Sequence, residues 1–252
     1  MRQSVDITDI AYVLDIKPYR DTSVIAELIS EHSGHVHLFC HGSSSKQNGL
    51  ASTLQLFNRI QICYKFKNNV ELQTLKTATL LSSFDMDKAG WNGYAIANLW
   101  SEMMRKLVPV DDRDIDLFTK TDALMQSLLL LNDSSREDEL YRIIAFTFFD
   151  LVANAGYAFD FETCAICQRV INNSTMFIDL ATSHCICDDC ASDNNNSYEL
   201  FPLAEGYYRW LTDEHKRGHR YDGKRYFYDS IHLIDAFLKK TLAIQCKSIA
   251  LL

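Results

Sequence analysis

Two cysteine pairs, Cys164-x2-Cys167 and Cys187-x2-Cys190, stand nineteen residues apart in a chain of 252. A two-residue gap suits a knuckle turn, and two knuckles can bring four thiolates to the corners of a tetrahedron, the closed geometry of structural zinc. A segment pinned in this way needs little core of its own. Residues 161 to 192, which hold five of the eight cysteines, are therefore expected to form a compact zinc module set between helices. Cys185 and His184 are alternative donors; Cys187 and Cys190 are preferred for their spacing. Four protein ligands leave no open position for water, so the expected zinc is structural and not hydrolytic.

The opening MRQSVDITDI has no apolar core, and no stretch reaches the roughly 18 apolar residues of a membrane span. Eight cysteines without a leader read as reduced thiols or metal ligands of a soluble, cytoplasmic protein. The net charge of −8 argues against a simple nucleic-acid coat, but it is unevenly spread. Residues 1–80 hold eight Lys or Arg against seven Asp or Glu, residues 81–200 eight against twenty, and residues 201–252 nine against six. Phosphate contacts are thus expected from the two ends and not from the acidic middle.

From Ile10 to Leu80 short apolar runs alternate with turn signals, in AYVLDI, SVIAELIS, GHVHLFC, RIQICYKF and VELQTLK. Gly34 sits where a hairpin turn is needed, and HGSSSKQNG reads as a polar loop. About five strands in this length fit a small barrel such as an oligonucleotide-binding fold, or a small barrel of another type. After Ser83 the period becomes helical, over Trp91–Leu107, Ile115–Leu131 and Arg136–Ala155, and again in PLAEGYYRWL and SIHLIDAFLKKTLAIQ. The expected class is α+β and multidomain: a barrel over 1–80, then a helical domain over 81–252 carrying the inserted zinc module at about 161–192.

Other constellations are weaker. His215 and His219 in HKRGH lack the glutamate of HExxH. Lys216, Arg217, Arg220, Lys224 and Arg225 lie among Tyr221, Tyr226, Phe227 and Tyr228, a mixture that grips phosphates and stacks bases or, more commonly, divides into solvated charge and core. Asp111, Asp112, Asp114 and Asp116 read as a linker and helix-start charge. Cys40, Cys63 and Cys246 read as core thiols. No phosphate-cradling GxxxxGK[ST], dinucleotide GxGxxG or nucleophile-elbow GxSxG is present, so no enzyme is expected.

Several segments together resemble the bacterial RecO recombination-mediator family. AYVLDIKPYRDTSVIAELISEHSGHVHLFCHG is similar to its opening, with a Pro-Tyr-Arg-acidic-Thr-Ser turn at Pro18 to Ser23. LQLFNRIQI and VELQTLKTATLL resemble its closing barrel strands, LVANAGYAFDFETCAIC its helix, turn and first cysteine pair, HCICDDC its second pair, and KKTLAIQCKSIALL its terminal helix. The resemblance implies an oligonucleotide-binding barrel and a helical domain with a zinc module. It implies a DNA-repair role in the RecF-type pathway, at the nucleoid: binding single- and double-stranded DNA, annealing complementary strands, and helping RecA load onto DNA coated by single-stranded-DNA-binding protein. RecR and the C-terminal tail of that binding protein would be partners. HGSSSKQNG departs from the family's more basic loop, because Lys46 stands alone in it, so a barrel of net +1 should hold phosphate weakly.

Within the barrel segment, Lys17, Arg20, Lys46, Arg59, Lys65 and Lys67 are the expected phosphate contacts. The rival reading is a zinc-stabilised protein-interaction adaptor without DNA contact, and a zinc hydrolase or nuclease is the more distant one; salt-dependent DNA binding and the number of protein ligands on the metal separate them.

Overall fold

The period-two alternation of the N-terminal segment becomes five strands: β1 (Ser4–Tyr19), β2 (Ser23–Ser30), β3 (Gly34–Cys40), β4 (Arg59–Lys67) and β5 (Leu72–Ser82). Along β4, Ile60, Ile62 and Tyr64 turn inward while Arg59, Gln61, Lys65 and Lys67 turn outward. The strands pair in the order β1-β2-β3-β5-β4 and β4 returns to β1, closing a barrel. All pairings are antiparallel except β3 with β5. An irregularity between Val13 and Asp15 lets the long β1 bend, so its first half serves β4 and its second half β2. Lys17 stands opposite Ile25, Ile25 opposite Phe39, Phe39 opposite Thr74, Thr74 opposite Lys65, and Lys65 opposite Asp6. The circuit thus returns to β1 well before Lys17, the stagger that a closed barrel requires. Ala11, Val13, Ala26, Leu28, Val36, Leu38 and Ile60 fill the interior, and Leu54, just beyond the short helix α1 (Leu50–Thr53), joins them.

The computed structural model describes residues 4–42, 50–131, 136–171, 175–192, 199–212 and 222–252. The chain forms two compact units, Met1–Leu129 and Leu130–Leu252. The barrel gives way to helix near the expected residue 80, but helices α2 (Met86–Leu107) and α3 (Ile115–Leu128) belong with the barrel by packing. The physical reason is a set of contacts between distant residues. Tyr12 OH donates to Asp122 at 2.7 Å, Arg105 pairs with Asp15 at 2.7 Å, and His35 Nδ1 lies 2.9 Å from the Val108 carbonyl. Asp85 caps α2, and Gly90, at φ 62, kinks it immediately before Trp91, where the helical period starts. Asp114 caps α3 by accepting from Asp116 N, as the linker reading of the aspartates expects.

In the second unit α4 (Glu137–Asn154) packs beside α7 (Gly223–Leu242), with the Tyr141 and Phe227 rings 5.2 Å apart. Gly156 N donates to Ala153 O and Tyr157 N to Val152 O, the Schellman pattern that a glycine at φ 94 allows. The cysteine module gains a sheet, and three readings, on PLAEGYYRWL, the terminal helix and Cys63, are corrected. The cysteine region carries a three-stranded sheet, β6 (Met176–Asp179), β7 (Cys185–Cys187) and β8 (Leu200–Leu203), in the order β7-β6-β8. PLAEGYYRWL is therefore partly strand, and its helix α6 is only Tyr207–Thr212, because Pro202 sits on the edge strand β8. The terminal helix stops at Leu242, where Ala243 turns left-handed at φ 54, and a 3-10 turn over Lys247–Leu251 follows. Cys40 and Cys246 are buried as expected, whereas Cys63 is half-buried on the outer face of β4. HKRGH lies outside the described residues.

Asp9 shows how the barrel's first hairpin is held. Its carboxylate, buried at the β2–β3 turn, accepts from Ile10 N at 2.9 Å, Ser33 N at 2.9 Å and His32 N at 3.1 Å, and His32 Nδ1 is 3.0 Å away. Burial alone would raise its pKa, but these hydrogen bonds outweigh burial and hold it below the usual carboxylate range. His32 is raised by the same carboxylate. Asp9's contribution is complete above its unfolded pKa of about 3.9 and disappears as pH falls through the lowered native value. His32's is complete below about 6.5 and disappears as pH rises through its raised native value. Denaturant midpoints should therefore be highest between about pH 4 and 6.5, and Asp9→Asn should flatten the profile. Superimposable profiles for the two proteins would contradict this.

Candidate metal centre and nucleic-acid surface

The first knuckle, Cys164 to Cys167, is closed by Gln168 N donating to Cys164 O at 2.9 Å, with Gln168 itself at φ 58. The second begins at the end of β7, where Cys187 caps the one-turn helix α5 (Asp188–Ala191) that carries Cys190. The sulfurs of Cys164, Cys167, Cys187 and Cys190 all lie within 4.8 Å of one another. Cys167 Sγ stands 3.8 Å from Cys187 Sγ, and Cys187 N donates to Cys164 Sγ at 3.4 Å. Arg169, paired with Asp189 at 2.6 Å, ties one knuckle to the other. Cys185 is outside the cluster: its thiol donates to Thr163 O, and burial pushes its pKa up to about 12. His184 is exposed and also outside it.

The electrostatics of the cluster call for a cation. Burial opposes ionisation of Cys164, yet amides of Cys167, Cys187 and Ile166 overcome it and bring the thiol down to about 6. Its neighbours go the other way: Cys190 is pushed up to about 12, first by its contact with Cys187, and Cys187 is raised, first by burial and then by its contacts with Cys164 and Cys167. Four thiolates this close repel one another unless a divalent ion neutralises them. The donor set fits tetrahedral zinc, with sulfur ligands from two knuckles and no carboxylate or water position.

On the barrel, the six expected phosphate contacts divide. Lys17 is paired with Glu27 and stands 3.8 Å from Asp15, and Arg59 is 3.3 Å from Asp122. Their charges are locally neutralised. Arg20, in the β1–β2 turn, lies over the Tyr19 ring at 5.3 Å, and Lys65 and Lys67 occupy the outer face of β4. These three form no ion pair among the described residues. Lys46 lies outside the described residues.

The structure adds aromatic side chains that the charge-based reading missed. Tyr19 packs edge-on against Phe39 at 5.6 Å, and Phe39 against His41 at 4.6 Å. Phe39 shares its outward row with Thr74 and Lys65 across β3, β5 and β4. A strip of rings flanked by Arg20 and Lys65 thus crosses one face. The signal was present in HVHLFCH, whose period of two puts His35, His37, Phe39 and His41 on the same side.

No helix among the described residues is long and apolar enough to cross a membrane. A family model described as recombination protein O N terminal matches residues 1–84, and one described as recombination protein O C terminal matches residues 88–213. The DNA repair protein RecO of Lawsonia intracellularis is 22% identical over 251 residues, 94% of each chain. That of Clostridium novyi is 25% identical over 208 residues, 80% of this chain and 75% of the relative. Among solved structures, an Entamoeba histolytica asparaginyl-tRNA synthetase aligns at a TM-score of 0.27 and 10% identity, over 68% of this chain and 37% of that one, and carries no argument. With its barrel matched by the first family model and its cysteine cluster by the second, the chain belongs to the RecO family of DNA repair and recombination proteins.

Proposed function

We propose that the protein is a recombination mediator of the RecF-type pathway. It binds single- and double-stranded DNA, anneals complementary strands and helps RecA load onto DNA coated by single-stranded-DNA-binding protein. RecR and the C-terminal tail of that binding protein are its proposed partners, and the cytoplasmic nucleoid its place of work. The barrel is read as an oligonucleotide-binding fold, on its five strands and closed order. Cys164, Cys167, Cys187 and Cys190 hold a zinc ion that supplies structural support alone. The mediator role involves no covalent chemistry, and such a centre has no free coordination position.

The observation that carries this reading is the Arg20, Tyr19, Phe39, His41 and Lys65 strip. Rings on which bases stack, flanked by cations that meet phosphates, suit a single strand whatever its sequence. Arg20, Lys65 and Lys67 contribute most of the phosphate contacts, Lys46 adds to them, and Lys17 and Arg59 contribute less because carboxylates already hold them.

Fluorescence anisotropy of a labelled single strand at two salt concentrations tests it. Phe39→Ala should weaken binding about fivefold or more, from a stacking loss of about 1–3 kcal/mol. Lys65→Glu with Lys67→Glu should lower the salt slope by about 0.7 for each phosphate that the variant no longer neutralises. Unchanged affinity in both variants would move the DNA site off the barrel. The pairing of Lys17 and Arg59 with carboxylates favours a second reading, a protein-interaction adaptor, and absence of salt-dependent binding in the wild-type chain would support it.

A further inference from the structure

Glu27 on β2 stands opposite His37 on β3, and His35 lies on the same outward face two residues before it. The carboxylate and the two imidazoles bring one ligand atom each within 4.8 Å of one another. They line a cavity of about 420 Å³ in the first unit, together with Lys17, Arg105 and Lys106. His35 is only 2% exposed. Its Nδ1 faces the Val108 carbonyl at 2.9 Å, and a carbonyl only accepts, so the proton sits on Nδ1. Nε2 then presents a lone pair, and it is buried without a partner. Burial also disfavours the charged imidazolium at His35, so a proton on Nε2 does not fill the role.

We propose that Glu27, His35 and His37 form a second metal site, separate from the cysteine cluster, for a divalent transition-metal ion of the zinc class. Two imidazoles and a carboxylate suit that class, and a ligating histidine ordinarily gives its other ring N–H to a carbonyl or carboxylate. His35 does so with Val108, and the Glu71 carboxylate stands 3.8 Å from His37 Nδ1. An anion fits less well despite the nearby cations, because an unprotonated Nε2 offers it no hydrogen bond. The cations are already engaged: Arg105 with Asp15 at 2.7 Å and, more distantly, with Glu27 itself at 3.7 Å, and Lys106 with Glu102 at 2.7 Å. Lys17 holds Glu27, but its side chain is 56% exposed, so it can yield to an ion and turn to solvent. Bound there, the ion would cross-link β2 and β3.

The test is cobalt titration of the full chain already carrying one zinc per molecule, followed by visible absorption and calorimetry. A further equivalent of cobalt should bind with d–d absorption and no thiolate-to-metal charge transfer. His37→Ala and Glu27→Gln should each weaken it about tenfold or more. These positions are chosen because His35 is fully enclosed and its truncation would threaten the fold, and matching circular dichroism spectra establish that the variants fold. No thiolate-free cobalt in the wild-type chain would overturn the proposal. So would cobalt that binds both variants as it binds the wild type, for instance at Asp9, Glu31 and His32, whose ligand atoms also cluster.

Discussion

Cys164→Ser should lose the zinc of the cysteine cluster, a fall of about one ion per chain, and the sheet of β6, β7 and β8 should lose its resistance to protease. The sheet is too small to hold itself: its strands run over four, three and four residues. Two of the four cluster sulfurs arrive on a turn, and the other two on the end of β7 and a single helical turn. Structural zinc in small domains is worth about 10–16 kcal/mol of apparent binding energy at neutral pH, and much of that is folding energy. A chelator should act as the mutation does. Cys185→Ser is the control, because its hydroxyl can still donate to Thr163 O and it takes no part in the cluster. It should keep the metal. Zinc retained by Cys164→Ser, or lost equally by Cys185→Ser, would refute the assignment of ligands.

Gly34→Ala should destabilise the first unit by about 3 kcal/mol or more. Gly34 turns the chain from β2 into β3 at φ 68, and a Cβ there would stand 1.6 Å from the Asp112 carbonyl oxygen and 2.5 Å from its carbon. Both are backbone atoms, so no side chain can swing aside. They are also fixed in place, since His35 N donates to Asp112 O at 3.2 Å and Asp111 N to His35 O at 2.8 Å. An alanine must therefore push the 108–112 segment from β3 and break these bonds as well as adopting a left-handed conformation. The entropy that alanine removes from the unfolded chain returns less than about 1 kcal/mol. Denaturant titration with the slope compared between the two proteins measures the difference. A loss below about 1 kcal/mol would mean that the hairpin and the segment after α2 are not packed as described.

Much of this was legible in the sequence where the signal is local. The β4 alternation, the helical period after Ser83 and the stop at Gly156 each appear within one turn or one strand of their cause. The cysteine spacing pointed to the same four residues that the structure gathers, because a knuckle is itself a local turn. The sheet around it was not legible: strands of three or four residues are too short to display a period, and the residues that pair in it are far apart in sequence. The division into units was hidden for a related reason, since Tyr12 reaches Asp122 and Arg105 reaches Asp15. On the candidate DNA surface, counting charge selected Lys17 and Arg59 but could not see the carboxylates that occupy them. It also passed over Tyr19 and Phe39, which carry no charge and meet only when β1 and β3 are brought together through β2.

The measurement that bears most directly on the mediator reading is the rate at which two complementary strands, each coated with single-stranded-DNA-binding protein, become duplex with and without this protein. Acceleration that disappears with Phe39→Ala and Arg20→Glu, while both variants keep the wild-type melting transition, is the predicted result. No acceleration by the wild-type chain, with RecR present or absent, would contradict it.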